Sequence, residues 1–137
     1  MMRASVSVDK IGFQRYKANL GKLDLVVGKT AADTDAFAKD SIKRRMSQGE
    51  AYERGGRTHY ASRPGYPPNS DTGRLANSIK HRKLASTIWE VRADAIYALA
   101  LEIGTRRVAA RPFLVPALRN QVLPFRKAIE AIMRGPI

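Results

Sequence analysis

No cysteine occurs in the 137 residues of this chain. That excludes a disulfide framework and a thiolate metal site, and it suits a reducing compartment. Histidine is nearly absent too. Neither His59 nor His81 has an Asp or Glu at a spacing that would orient it as a base or ligand, so both read as solvated. Acidic residues are scarce, 12 Asp and Glu against 25 Lys and Arg. Asp33, Asp35 and Asp40 share a helical stretch with lysines and read as surface pairs. Asp71 reads as a helix cap. No window approaches the ~20 apolar residues of a membrane span. The apolar run at Ala4–Val8, behind Met1-Met2-Arg3, is too short for a signal peptide, so a soluble, unexported protein is expected. The sequence has no helical His-Glu-x-x-His and no nucleophile elbow. Gly55-Gly56-Arg57-Thr58 lacks the spacing and the lysine of a phosphate-cradling loop. The expectation is a non-enzymatic protein with no catalytic, cofactor or metal site.

What the chain does have is positive charge. The formal net charge is +13 and the sequence pI about 10.6. Such a balance favours a polyanionic neighbour, whether nucleic acid, an anionic membrane or an acidic protein surface, although it also serves simple solubility. The length suits one domain, 1–137. Its organising stretch is Tyr97–Leu118. An apolar run, Ala95–Leu101, leads to Glu102, a break at Gly104-Thr105, the basic pair Arg106-Arg107 and a Pro-Phe-Leu entry at 112–114. Apolar residues on every side of so short a segment call for cover by the core or by another subunit. Glu102 reads as an ion-pair partner of Arg106 or Arg107, in the same or a neighbouring subunit.

Ala4–Val8 alternates like a short edge strand, and Asp9 sits where a cap would precede a short helix over Lys10–Leu20, weakened by Gly12 and Gly21. A firmer helix follows from Leu23 to Met46. Val27, Thr30-Ala31, Thr34, Phe37-Ala38, Ile42 and Met46 mark one face, and Lys43-Arg44-Arg45 its basic last turn. Residues 47–72, with many Gly and Pro, support neither helix nor strand. About 49–71 reads as a flexible arm that orders against a partner, or as a weak single-strand nucleic-acid surface of Arg54, Arg57 and Arg63 interleaved with Tyr52, Tyr60 and Tyr66. Asp71 or Thr72 can cap a short helix ending at Ser78. Two strands follow, Ile79–Leu84 and Thr87–Ala93. Lys80, Arg82 and Lys83 on the first serve either to guard a sheet edge or to face DNA. Asp94 can cap a short buried helix, Ala95–Ile103. Residues 106–111 read as extended. Pro112 or Pro116 begins the last helix, whose core stripe is Leu114, Leu118, Val122, Phe125, Ile129 and Ile132. Pro124 should kink or split that helix, and Gly135-Pro136 ends it.

The order Pro67-Pro68, Thr72-Gly73-Arg74-Leu75, Asn77-Ser78-Ile79, Glu102-Ile103-Gly104-Thr105 and Pro112-Phe113-Leu114 with Pro116-Ala117-Leu118 resembles one family. It is the head–tail joining (neck or tail-completion) proteins of long-tailed bacteriophages and prophages, typified by gene product ten of phage HK-ninety-seven. The resemblance covers about residues 64–133. It implies an α+β subunit in which a small antiparallel sheet is flanked by a long helix from the N-terminal half and a C-terminal helix. It further implies a ring homo-oligomer, hexamer or dodecamer, at the head–tail junction of the virion. Such a ring contacts head-closure and tail proteins and lets genomic DNA pass without reading its sequence. On that basis Thr72, Gly73, Leu75, Ile79, Gly104, Thr105, Pro112, Phe113 and Leu114 are expected to define the fold. Glu102, Arg106 and Arg107 are candidates for the subunit interface, and Lys80, Arg82 and Lys83 for the DNA-facing lumen. The rival reading is a stand-alone basic nucleic-acid-binding protein.

Overall fold

A computed structural model describes residues 10–135, with side chains from residue 14 onward. The strand expected at Ala4–Val8 and the cap at Asp9 lie outside the described residues. The chain is α+β. Helix α1 (Lys10–Lys43) leads to a hairpin of β1 (Ala51–Arg54) and β2 (Arg57–Tyr60). Then come the short helix α2 (Arg74–Ser78), a second hairpin of β3 (Ile79–Ala85) and β4 (Ile88–Ala93), a short helix α3 (Ala98–Ile103) and helix α4 (Leu114–Met133). The single small sheet expected is in fact two separate antiparallel pairs.

The two helices expected before residue 47 are one, of 34 residues and roughly 51 Å. Gly21 does not break it, because that glycine lies in open space and nothing nearby offers its backbone another partner. A mid-helix glycine costs only about 1 kcal/mol. The helix stops at Lys43, short of Met46. Arg44 still donates its N–H to the Asp40 carbonyl, and Arg45 turns the chain with φ 51° while its guanidinium donates to the Ser70 carbonyl. Ala31, Thr34, Ala38 and Ile42 are buried at the spacing the sequence shows, whereas Phe37 and Met46 are exposed.

Residues 47–72 hold regular structure that the glycine count concealed. Gly55 (φ 60°) and Gly56 (φ 72°) form a two-residue turn in which both central residues take positive φ, so β1 and β2 pair in register from Arg54↔Arg57 to Ala51↔Tyr60. That conformation strongly favours Gly-Gly, and it matches the twist of a tight hairpin. The base of the segment is tied down. The Asn69 side-chain amide donates to the Ser47 and Tyr60 carbonyls, Gly65 N–H to the Ala110 carbonyl, and Arg111 Nε to the Ser62 carbonyl.

Helix α2 is entered through Gly73 in the left-handed conformation (φ 78°); Asp71 does not cap it, and Thr72 contributes only a long bond, its Oγ1 accepting from Arg74 N–H at 3.4 Å. Its Leu75 and Ala76 are buried, and Ile79 begins β3 inside the core. Helix α3 starts at Ala98, three residues later than the apolar run suggests, and has no side-chain cap. Asp94 instead pairs with Arg92 and Lys80. Residues 105–108 close a turn, Thr105 N–H donating to the Val108 carbonyl, where an extended segment was expected.

Helix α4 begins at Leu114, between the two prolines proposed as its start, and runs unbroken through Pro124. Pro124 removes one backbone donor. Both Pro124 and Asn120, whose carbonyl loses that donor, are exposed, so the unpaired carbonyl is open to solvent and costs little. The core joins Ala38 and Ile42 of α1, Leu75, Ala76, Ile79 and Ala98, with Phe113 and Ala117 at the head of α4. Val27, Thr30 and Ala31 line one groove with Leu118, Val122 and Phe125, so α4 runs antiparallel along α1. The groove stays open, and Leu118 and Val122 of the expected core stripe are exposed, because the packing of α4 on α1 closes only around Phe113 and Ala117.

Candidate functional site

The two motifs that bracket the organising stretch are joined by one carboxylate. Glu102, near the end of α3, accepts hydrogen bonds from the backbone N–H groups of Phe113 (2.9 Å), Leu114 (3.0 Å) and Val115 (2.8 Å). These are donors that a helix start leaves without intrahelical partners, and the positive end of the helix dipole adds to the attraction. Glu102 thus caps α4 from eleven residues away, and within this chain it forms no ion pair with Arg106 or Arg107. Gly104 makes the reversal possible. Its φ of 77° and ψ of 167° are all but confined to glycine, and a Cβ there would lie 3.0 Å from the Ala110 nitrogen. Thr105 Oγ1 accepts from the N–H groups of Arg107 and Val108 and fixes the turn. Phe113, 1% exposed, then plugs the core.

This elbow leaves an apolar edge in solvent. Ile96 is 100% exposed, Leu99 68% and Ile103 69%, on a segment whose other side buries Ala98. Leu99 and Ile103, four residues apart, share one side of α3, and Ile96 is exposed in the turn that leads into it. Arg106 and Arg107 stand exposed beside it, with no side-chain partner among the described residues.

The three basic residues expected to act together on β3 are divided by the strand's two-residue period. His81 and Lys83 lie opposite Val91 and Trp89 and reach back to α1, whereas Lys80 and Arg82 share the outer face with Glu90 and Arg92. Each is matched by an acid: Lys80 with Asp94 (3.6 Å), Arg82 with Glu90 (2.7 Å) and Lys83 with Asp24 (2.5 Å). Asp24 is the tie between the β3–β4 turn and α1. It accepts from Lys83, from Thr87 N–H and from the Trp89 indole N–H. The Lys83 hydrogen bond, then that of Thr87, holds its carboxyl below the usual value of 3.8. Nothing in the sequence marks this contact, because its partners lie about sixty residues away.

Both histidines have carboxylate partners, contrary to expectation. His81 Nδ1 lies 2.5 Å from Asp35, which is 4% exposed and also paired with Lys39, so Asp35 is no simple surface pair. His59 Nδ1 lies 3.1 Å from Asp71, which also accepts from Arg54 and the Tyr52 hydroxyl. Tyr52 stacks on His59 with ring centroids 5.6 Å apart. Burial, then the Asp71 charge, raises the Tyr52 pKa above 10.0, so its hydroxyl stays a donor. The cluster borders a cleft of about 430 Å³ beneath the first hairpin. Its bonds run between the hairpin and the 70–74 turn, and they act there as a latch. Asp71 is therefore a hub for this latch, not a cap.

Among the described residues no group of three or more His, Cys, Asp or Glu is placed to hold a metal ion, and no helix is long and apolar enough to cross a membrane. Comparison with protein-family models, with curated proteins and with solved structures finds no match to this chain.

Proposed function

We propose that this chain is a structural subunit of a tailed phage or prophage, joining copies of itself into a ring at the head–tail junction of the virion through which the genome passes. The observation that carries the reading is the apolar surface the lone chain leaves open. Among the described residues, large apolar side chains stay in solvent on both α3 and α4, among them Leu99, Ile103, Leu118 and Val122. Exposure of this kind suits a protomer that completes its packing against others, since a standard interface removes about 800 Å² from each partner and a ring subunit has two.

The apolar edge of Ile96, Leu99 and Ile103, flanked by Arg106 and Arg107, supports the placement of one such interface on α3. It stands on the Glu-Ile-Gly-Thr turn that carries the resemblance. In this reading Glu102 serves the interface indirectly, by fixing the elbow that presents the edge. The neighbours would be head-closure and tail proteins, and no chemistry is assigned to the chain.

Two measurements test this. The purified protein at high concentration should form closed rings by mass photometry and negative stain, and L99D/I103D should stay folded by circular dichroism yet remain monomeric. Deleting the gene from a producing lysogen should leave filled heads beside unattached tails. Normal joined particles in that lysate would refute the assignment.

A further inference from the structure

The net charge of +13 is distributed unevenly, and ion pairing reveals where it is free to act. Ion pairs take up many cations elsewhere: Lys29 with Asp33, Lys39 with Asp35, Arg54 with Asp71, and the β3 residues as described above. Lys22, Lys43, Arg57 and Arg74 have no acid partner among the described residues, but they are spread over three elements. Helix α4 is different. Arg119, Arg126 and Lys127, with Arg134 just past its last residue, are all exposed, and no acid among the described residues lies within ion-pair distance of any of them. At 100° per residue they fall within a 100° arc, opposite the side that buries Ala117 and half-buries Phe125 and Ile132. Glu130 is the one carboxylate on that arc. Arg119, Arg126 and Lys127 lie before the last turn, so the helix dipole gives them no reason to be there.

We infer that this outer face of α4, and not β3, is the surface that meets the phosphate backbone of duplex DNA. The four cations extend over fifteen residues, roughly 22 Å, which parallels about six base pairs at 3.4 Å each. A rigid helix holding long basic side chains suits contact with phosphates, which positions a duplex and carries no sequence information. The outer β3–β4 face carries three cations, Lys80, Arg82 and Arg92, against two acids, so a phosphate there must first compete with Glu90 and Asp94. An anionic membrane is the alternative the test must exclude, because Val115, Leu118 and Val122 beside the arc are about half exposed; on the basic arc itself Leu123 is the lone large apolar residue in solvent.

The choice of a duplex as partner rests on the ring reading above, and the experiment separates the two. A short fluorescent duplex of arbitrary sequence is titrated with the full chain between about 50 and 200 mM salt. With four phosphate contacts, R119Q/R126Q/K127Q/R134Q should flatten the slope of log K against log salt by about 3 to 4 and weaken binding at least ~100-fold near 100 mM. K80Q/R82Q should change the slope by less than about 1. Circular dichroism checks the fold, and mass photometry scores ring formation separately. A variant that forms the same rings but loses the duplex supports the inference. If rings never form and the α4 variant alone loses the duplex, the ring reading falls and the α4 face stands. If parent and α4 variant bind alike, if the β3 variant takes the larger loss, or if the parent binds phosphatidylglycerol vesicles but no duplex, the inference is overturned.

Discussion

Replacing Glu102 probes the link on which the C-terminal third of the chain depends. Its carboxylate accepts three backbone N–H groups at 2.8 to 3.0 Å, at the start of α4 and beside the buried Phe113. Loss of an exposed cap costs about 0.5 to 2 kcal/mol, and hydrogen bonds to a charged acceptor contribute about 1.5 to 3 each before the freed groups find water. Glu102 is half-buried and Leu114 is partly covered, so water recovers only part of the loss, and Glu102→Ala should cost roughly 2 to 3 kcal/mol. Glu102→Gln keeps one acceptor oxygen but loses the charge and points an amide donor at other donors, for about 1 to 1.5 kcal/mol. For 137 residues the unfolding entropy is about 0.29 kcal/mol/K, so 1 kcal/mol moves Tm by about 3.5 °C. Thermal melts followed by circular dichroism should fall by about 7 to 10 °C for Ala and 4 to 5 °C for Gln. R106Q/R107Q should melt within about 2 °C of the parent, because neither arginine pairs with Glu102. Equal losses in E102Q and R106Q/R107Q would mean that the carboxylate acts as an ion-pair partner, and the capping argument would fail.

Two further outcomes follow from contacts around Trp89. Asp24 has its pKa lowered in the fold, so its stabilisation is complete above about pH 4, the unfolded value, and fades as pH falls through the lower folded value. Urea midpoints read by Trp89 fluorescence should therefore drop below about pH 4 in the parent, with a shallower decline in D24N; parallel curves would show that Asp24 is not responsible. Within α1, G21A should stabilise by about 0.5 to 1 kcal/mol because nothing lies near that position. G28A should instead destabilise, by about 1 to 2 kcal/mol, because its Cβ would lie 2.8 Å from the Trp89 ring. A G28A protein more stable than the parent, with unchanged Trp89 emission, would contradict that packing.

Periodicity alone determined a good deal of this protein. Ala31, Thr34, Ala38 and Ile42 announce the buried side of α1, the alternation through Trp89, Val91 and Ala93 sets the inner side of β4, and the positive φ of Gly104 follows from where that glycine interrupts the pattern. These are local effects, decided by residues within a turn or two. The Gly55-Gly56 hairpin was legible as well, since two glycines between short β-prone runs specify a tight turn, but the surrounding Gly and Pro obscured it. Tertiary structure alone decided the partners of the charges. Asp24 with Lys83, Asp35 with His81 and Asp71 with Arg54 are brought together across 17 to 59 residues, and a side chain's charge carries no address at that range. Glu102 found backbone amides where two arginines stood closer in sequence, because a helix start offers several fixed donors at once while an exposed arginine must give up side-chain freedom to pair. The same physics separates Lys83 from Lys80 and leaves the cations of α4 unmatched: which positive charges remain available to a partner depends on where the fold sets the few acids.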